Sequence, residues 1–205
     1  IAAANDEDTP IVPEVCIYFE NHLMRGNRTT KYNAENFNAF VSGNLPLLAD
    51  VGVYIKYNKN IILRPSFKKL KVHVNFDTNV AILKLYPGIN KQFVDSFFKT
   101  EGLKGVIIES FGSGNAPSEK WFIDILKNAS KSGIIILNVT QCMTGAVEHG
   151  KYETSVKLDK AGVVSGGDIT TESALAKMMY LLGSGHENDK IVRLLQKSLR
   201  GEISI

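Results

Sequence analysis

The sequence predicts an α/β protein: a parallel-sheet, three-layer domain over residues 80–205, preceded by the last strands of an incomplete α/β neighbour over 1–64 and a linker over 65–79. Three observations carry this. Between residues 80 and 137, three apolar strand-like runs alternate with two amphipathic helical runs, a spacing that specifies right-handed crossovers and a parallel sheet. The middle run, Gly105-Val106-Ile107-Ile108, is β-branched and apolar on both faces, as a strand covered by helices on each side requires. Finally, the first 64 residues hold short strand signals with no long helix between them, and a length of 205 residues favours one large domain or one complete domain with part of another.

The opening fragment IAAAND has helix-end character and starts at Ile1 without methionine, so the chain is expected to begin inside something larger. Residues 5–13 are polar and Pro-punctuated, the loop after a helix whose body is missing. Residues 14–20, EVCIYFE, form a strand, and Asn21 and His22 turn it into a second one, Leu23-Met24-Arg25. With most sheet partners gone, the edge at Cys16–Phe19 should favour self-association. The segment 26–31, GNRTTK, is dense in donors; it is either a solvated hairpin end or a place where Arg25 or Arg28 contacts an anion or carboxylate. Residues 34–40 space Ala34, Phe37 and Phe40 as a short amphipathic helical turn. Val53-Tyr54-Ile55 and Ile61-Ile62-Leu63 read as strands around the polar turn Asn58-Lys59-Asn60. Lys68, Lys69 and Lys71 beside a short strand, Val72-His73-Val74, form a solvated face that protects an edge.

From residue 80 the pattern is regular. A strand over 80–85 leads to Asn90, which caps a helix carrying Phe93, Val94, Phe97 and Phe98 on one face. Past the strand at 106–108, Gly112 and Gly114 permit positive φ, so the chain turns sharply and presents Asn115. Pro117 lies near the next helix start, with Ser118 and Glu119 in its first turn. Ligands bind at the carboxyl edge of such sheets; the alternative is a tight strand-to-helix turn with no ligand. Phe122, Ile125, Leu126 and Ala129 give the second helix its apolar face, Gly133 ends it, and 134–137 is a fully buried strand. A loop of similar chemistry follows at 138–145. Residues 158–164 make a helix-then-strand unit, Asp168 with Thr170 and Thr171 caps a helix with its core stripe over 175–182, and Ile191, Leu194, Leu195 and Leu199 mark the last helix.

Bulk properties exclude several classes. Twenty-four basic and 21 acidic residues leave a net charge of +3, too mild and too dispersed for a nucleic-acid surface. No apolar run approaches the length that spans a bilayer, which points to a cytoplasmic protein. Cys16 and Cys142 lie far apart without CxxC or Cys/His spacing, so reduced thiols and no metal are expected.

Six strings together resemble one family: MRGNRTTK at 24–31, LYPGI at 85–89, ESFGSGNAP at 109–117, NVTQCMTG at 138–145, AGVVSGGDITTESALAKMMYLLG at 161–183 and LRGE at 199–202. They are similar to the cytoplasmic, type I bacterial L-asparaginases, in order and over essentially the whole chain. The family opens with a TGGT-type strand-loop bearing the nucleophilic threonine, then a TDT-type threonine-aspartate pair and a downstream lysine. None of these strings occurs here, and Thr29-Thr30 and Thr170-Thr171 lack the Gly-Gly context and a following aspartate. The resemblance therefore covers the end of the N-terminal domain and the whole C-terminal domain.

What it implies is hydrolysis of the L-asparagine side-chain amide to aspartate and ammonia, through a threonine acyl-enzyme and without metal or cofactor. It also implies a homo-oligomer, dimer or tetramer, in which a neighbour's C-terminal domain completes the site. Asn115 would then donate an amide there, or else brace its own loop. A regulatory asparagine site described in the same subfamily maps onto Thr30, Thr140, Cys142 and the strand end at Glu109. Where some members have arginine, Glu109 cannot form a bidentate pair with an amino-acid carboxylate. By itself this chain is expected to be inactive. Two other readings stay open: an amide-hydrolysing subunit of a tRNA-dependent amidotransferase, disfavoured by the mild charge, and a stand-alone amino-acid-binding or oligomerisation module.

Overall fold

The structure, a computed structural model, describes residues 10–66, 68–69, 71–148 and 153–204. The helix end expected over residues 1–4 and the start of the loop expected over 5–13 lie outside the described residues. The chain forms two compact units, Ile1–His73 and Val74–Ile205.

In the first unit, β1 (Cys16–Phe19) and β2 (His22–Arg25) make an antiparallel hairpin whose turn residues Glu20 and Asn21 both have positive φ, 47° and 64°. That left-handed pair matches the twist of a two-residue hairpin. β2 continues into β5 (Ala49–Val51) and β6 (Ile55–Tyr57), giving the order β1-β2-β5-β6; β3 (Thr30–Lys31) and β4 (Phe40–Val41) pair separately. Val12, Leu23, Leu48 and Ala49 form the small core. β1 stands at the end of its sheet, with Val15 and Tyr18 exposed.

Three local expectations fail here. Residues 34–40 are not helical, because the Asn33 side chain accepts from the amides of Glu35 and Asn36 and bends the chain into a turn, leaving Phe37 exposed. Val53 and Tyr54 sit at the tip between β5 and β6, where the Gly52 amide donates to the Tyr54 carbonyl, so only Ile55 of that triplet is in a strand. Ile61-Ile62-Leu63 follows the expected turn at Asn58 but is not in a strand; Ile61 and Ile62 pack instead against the core.

The second unit is a parallel sheet ordered β10-β9-β8-β7: β7 (Val80–Lys84), β8 (Gly105–Ser110), β9 (Ile135–Thr140) and β10 (Val163–Ser165). The strands succeed one another in one direction, so same-handed crossovers place the intervening helices on one face. These are α1 (Lys91–Phe98), α2 (Lys120–Lys131) and α3 (Glu153–Lys160). Val106, Ile108 and Ile136 share a core with Val94, Phe122, Leu126 and Leu158 on that face. The opposite face buries Ile107, Ile135, Leu137 and Val139 under α4 (Thr171–Gly183) and α5 (Asn188–Leu195). The expected three-layer α/β arrangement is therefore the observed one.

Asn90 caps α1, its side chain accepting from the Phe93 amide at 2.9 Å. Two helix starts differ from expectation. α2 begins only at Lys120, because Glu119, with φ of -63° and ψ of 137°, is still extended and forms the N-cap. The cap of α4 is Thr170 alone, accepting from Ser173, while Asp168 is turned to Ser204. Val72-His73-Val74 is not in a strand, with Val72 and Val74 exposed, and α5 ends at Leu195, short of Leu199.

Candidate functional site

The carboxyl ends of β7, β8 and β9 converge on the two loops singled out by sequence. After Ser110 the chain closes on itself: the Phe111 amide donates to the Asn115 carbonyl at 2.9 Å, and the Asn115 amide returns to the Phe111 carbonyl at 2.8 Å. Closing so short a loop needs left-handed backbone at Gly112 and Gly114, with φ of 50° and 110°. Asn115 stands exposed at the end of this hairpin.

The second loop braces the first. Thr140 Oγ1 donates to the Gly112 carbonyl at 2.5 Å and accepts from the Cys142 amide at 3.0 Å. The Asn138 side chain, fully buried, donates to the Gly114 carbonyl at 3.3 Å, and the Glu148 amide donates to the Ser113 carbonyl at 3.0 Å. Gly114 also has a packing reason: a Cβ there would lie 2.8 Å from Cγ1 of Val147. The loop that carries Asn115 is thus fixed through its backbone at four successive residues, 112 to 115.

Glu109, at the end of β8, faces the other side of the sheet. Paired positions 109 and 139 share the face under α4, whereas Ser110 and Thr140 turn toward the α1–α2 face. Its carboxylate accepts from Thr171 Oγ1 at 2.7 Å and lies 3.7 Å from the Lys84 ammonium, with the Glu109 side chain 16% exposed and that of Lys84 67% exposed. Thr140 and Glu109 are neighbours in register whose side chains diverge. Cys142 is exposed in the loop after β9. Thr30 belongs to β3 of the first unit, opposite Val41.

Gln141 was not singled out by sequence, yet its side-chain amide donates to the carbonyls of Leu85 at 2.7 Å and Glu109 at 2.8 Å, tying the ends of β7 and β8 together. No local signal marks that reach, because it spans 56 residues of chain to Leu85. Thr171 was read only as a cap.

Of the two arginines offered as anion contacts, Arg25 is committed internally. Its guanidinium pairs through Nε and Nη2 with the buried carboxylate of Glu14 and donates to the Ile61 carbonyl at 2.7 Å. Arg28 is 2% exposed and donates to the Asn44 carbonyl at 3.4 Å. Among the described residues no group of His, Cys, Asp and Glu is placed to hold a metal ion, and no helix is long and apolar enough to cross a membrane.

Comparison with known proteins places this geometry. Residues 79–195 match the family described as glutaminase/asparaginase C-terminal domain, and residues 1–63 match asparaginase, N-terminal. A mouse 60 kDa lysophospholipase is 44% identical over 95% of this chain and 35% of its own length. L-asparaginase 1 of Escherichia coli K12 is 39% identical over 94% of this chain and 57% of its own. The crystal structure of L-asparaginase I from Vibrio cholerae superposes with a TM-score of 0.88 at 38% identity, over 95% of this chain and 58% of that one. The chain thus spans a third to somewhat over half the length of these relatives. With both domain models matched in order, and the C-terminal one over more than half of the chain, the chain belongs to the glutaminase/asparaginase family.

Proposed function

We propose that the protein to which this chain belongs hydrolyses the side-chain amide of L-asparagine to L-aspartate and ammonia. In this reading the second unit supplies the residue that completes a neighbouring subunit's site in a cytoplasmic homo-oligomer. The supporting observation is the position of Asn115: exposed at the carboxyl edge of a parallel sheet, on a hairpin whose backbone is held at both closing residues. A backbone held in this way fixes where the Asn115 side chain leaves the loop, which lowers the cost of placing its amide beside a substrate carbonyl.

The nucleophile belongs to the part of the family's length that this chain does not span. Loss of a nucleophile removes on the order of 10⁶ in rate in a well-studied hydrolase, so the chain alone is inactive in this reading, in which a threonine nucleophile acts without metal or cofactor. Thr30 in the first unit, and Glu109, Thr140 and Cys142 in the second, are each kept as a separate candidate contact to a regulatory asparagine. The hydrogen bonds of Glu109 to Thr171 and of Thr140 to Gly112 are consistent with an internally satisfied arrangement there.

The test is ammonia release from asparagine by the full-length protein and by the 205-residue chain. The full-length protein should be active and the chain silent. Asn115→Ala in the full-length protein should slow turnover by about 10²-fold, the effect of removing one preorganised donor. Ammonia release from the chain alone would place the nucleophile within it. Activity in the full-length protein only when glutamyl-tRNA(Gln) and a partner subunit are supplied would favour the amidotransferase reading, and an unchanged Asn115→Ala rate would make that residue a loop brace.

A further inference from the structure

We infer that residues 199–204 form a strap that positions the Asn115 loop and Glu109 of the candidate site by clamping the 165–171 segment. The strap is anchored twice. Glu202, with its side chain 7% exposed, pairs at 2.7 Å with the Lys177 ammonium on α4 and accepts from the amides of Leu199 and Arg200. Lys177 also donates to the carbonyls of Leu195 and Lys197, so one buried cation gathers the end of α5 and the strap. Two residues on, Ser204 donates through its amide to Asp168 Oδ1 at 2.8 Å and through its hydroxyl to Oδ2 at 2.6 Å. Between the anchors, Ile203 is buried against Gly167, where a Cβ would meet Cδ1 of Ile203 at 3.0 Å.

The clamped segment reaches the site by two routes. On one, the Gly167 carbonyl accepts from the Val147 amide at 2.9 Å and Ser165 Oγ donates to the Val147 carbonyl at 3.0 Å. Val147 packs on Gly114, and the adjoining Glu148 amide donates to Ser113, inside the loop that presents Asn115. On the other, Thr170 caps α4 and Thr171 holds Glu109. The paired glycines of SGGD serve close packing: a Cβ at Gly166 would lie 2.8 Å from the Asn138 carbonyl oxygen, and Gly167 faces Ile203. Asp168 is therefore a positioning residue, acting on Asn115 and Glu109 only through the segment it anchors.

This inference rests on the proposed function for the meaning of the site, but its test reads the chain without substrate. Amide hydrogen exchange distinguishes a transmitted effect from a local one, since segments open with separate free energies. In Asp168→Ala the amides of Gly166, Val147 and Glu148 should exchange at least about tenfold faster, while Ile107 and Ile136 in the sheet centre keep their protection. Ser204→Ala, which removes only the hydroxyl donor, should give the same pattern at smaller amplitude and serves if Asp168→Ala does not fold. Acceleration confined to the strap itself, with Val147 and Glu148 unchanged in both variants, would overturn the inference. The outcome is independent of whether asparagine is the substrate, which ammonia release by the full-length protein decides.

Discussion

The Thr171 hydroxyl donates to the Glu109 carboxylate at 2.7 Å, joining the first turn of α4 to the end of the central strand β8. A carboxylate only 16% exposed loses heavily when its donor is removed, whereas its exposed partner Lys84 contributes little in high dielectric. Thr171→Val is expected to destabilise the second unit by about 1–3 kcal/mol, and Lys84→Ala by less than about 0.5 kcal/mol. Trp121, the single tryptophan, lies in α2 and reports unfolding of this unit by fluorescence in urea. Equal effects from the two substitutions would contradict the assignment.

Arg25 and Glu14 are buried to 6% and 2% side-chain exposure, and Glu14 also accepts from the Leu63 amide at 2.7 Å. Removing one partner leaves an uncompensated buried charge. Arg25→Ala is therefore expected to destabilise the first unit by about 3–5 kcal/mol, and replacing both partners with apolar residues of similar volume to recover most of that. Exchange of the β2 and β5 amides would measure it. Little loss in the single variant would return Arg25 to the pool of ligand-contacting residues.

The parallel sheet was legible because its strands are apolar on both faces and its helices carry stripes at helical spacing, signals that local sequence contains in full. The errors arose where a single long-range or side-chain contact decides. Asn33 folds 34–40 into a turn that an Ala/Phe pattern cannot veto, and Asp168 looks like a cap until Ser204, 36 residues away, takes both its oxygens. At the site, the glycines announced the turn at 112–115. The bracing by Thr140, Gln141 and Val147 depends on strand register, which sets Ser110 opposite Thr140 and is invisible in either segment alone.

Gly112 and Gly114 both have positive φ, but only Gly114 is confined. A Cβ at Gly112 meets nothing within 4 Å, and one at Gly114 would lie 2.8 Å from Val147. Gly112→Ala is expected to destabilise by about 1–2 kcal/mol from the left-handed backbone alone. Gly114→Ala should exceed this, because φ of 110° lies outside even the left-handed helical region and Val147 must shift. In the full-length protein Gly114→Ala should also slow ammonia release more than Gly112→Ala does. Equal losses from both would mean that the packing of Val147 does not hold the loop.

The pair Lys177–Glu202 makes stability depend on pH in a way whose sign can be worked out. Burial pushes the Glu202 carboxyl up, but the Lys177 ammonium and the amides of Leu199 and Arg200 together outweigh it and hold the group below its ordinary value. Burial also pushes the Lys177 ammonium down, only partly opposed by Glu202. A carboxyl with a lowered folded pKa contributes stability that is present above its unfolded value, near 4.3, and is lost as pH falls through the folded value. Lys177→Met removes the cation and leaves a buried carboxylate, a loss of about 3–5 kcal/mol at neutral pH. In that variant burial acts on Glu202 unopposed by the ammonium, so protonation relieves the buried charge and the deficit relative to the unsubstituted chain should shrink as pH falls from 7 toward 4. Urea unfolding followed by Trp121 at several pH values measures this difference directly. A deficit that is constant or grows on acidification would show that Glu202 is not held as an ion by Lys177.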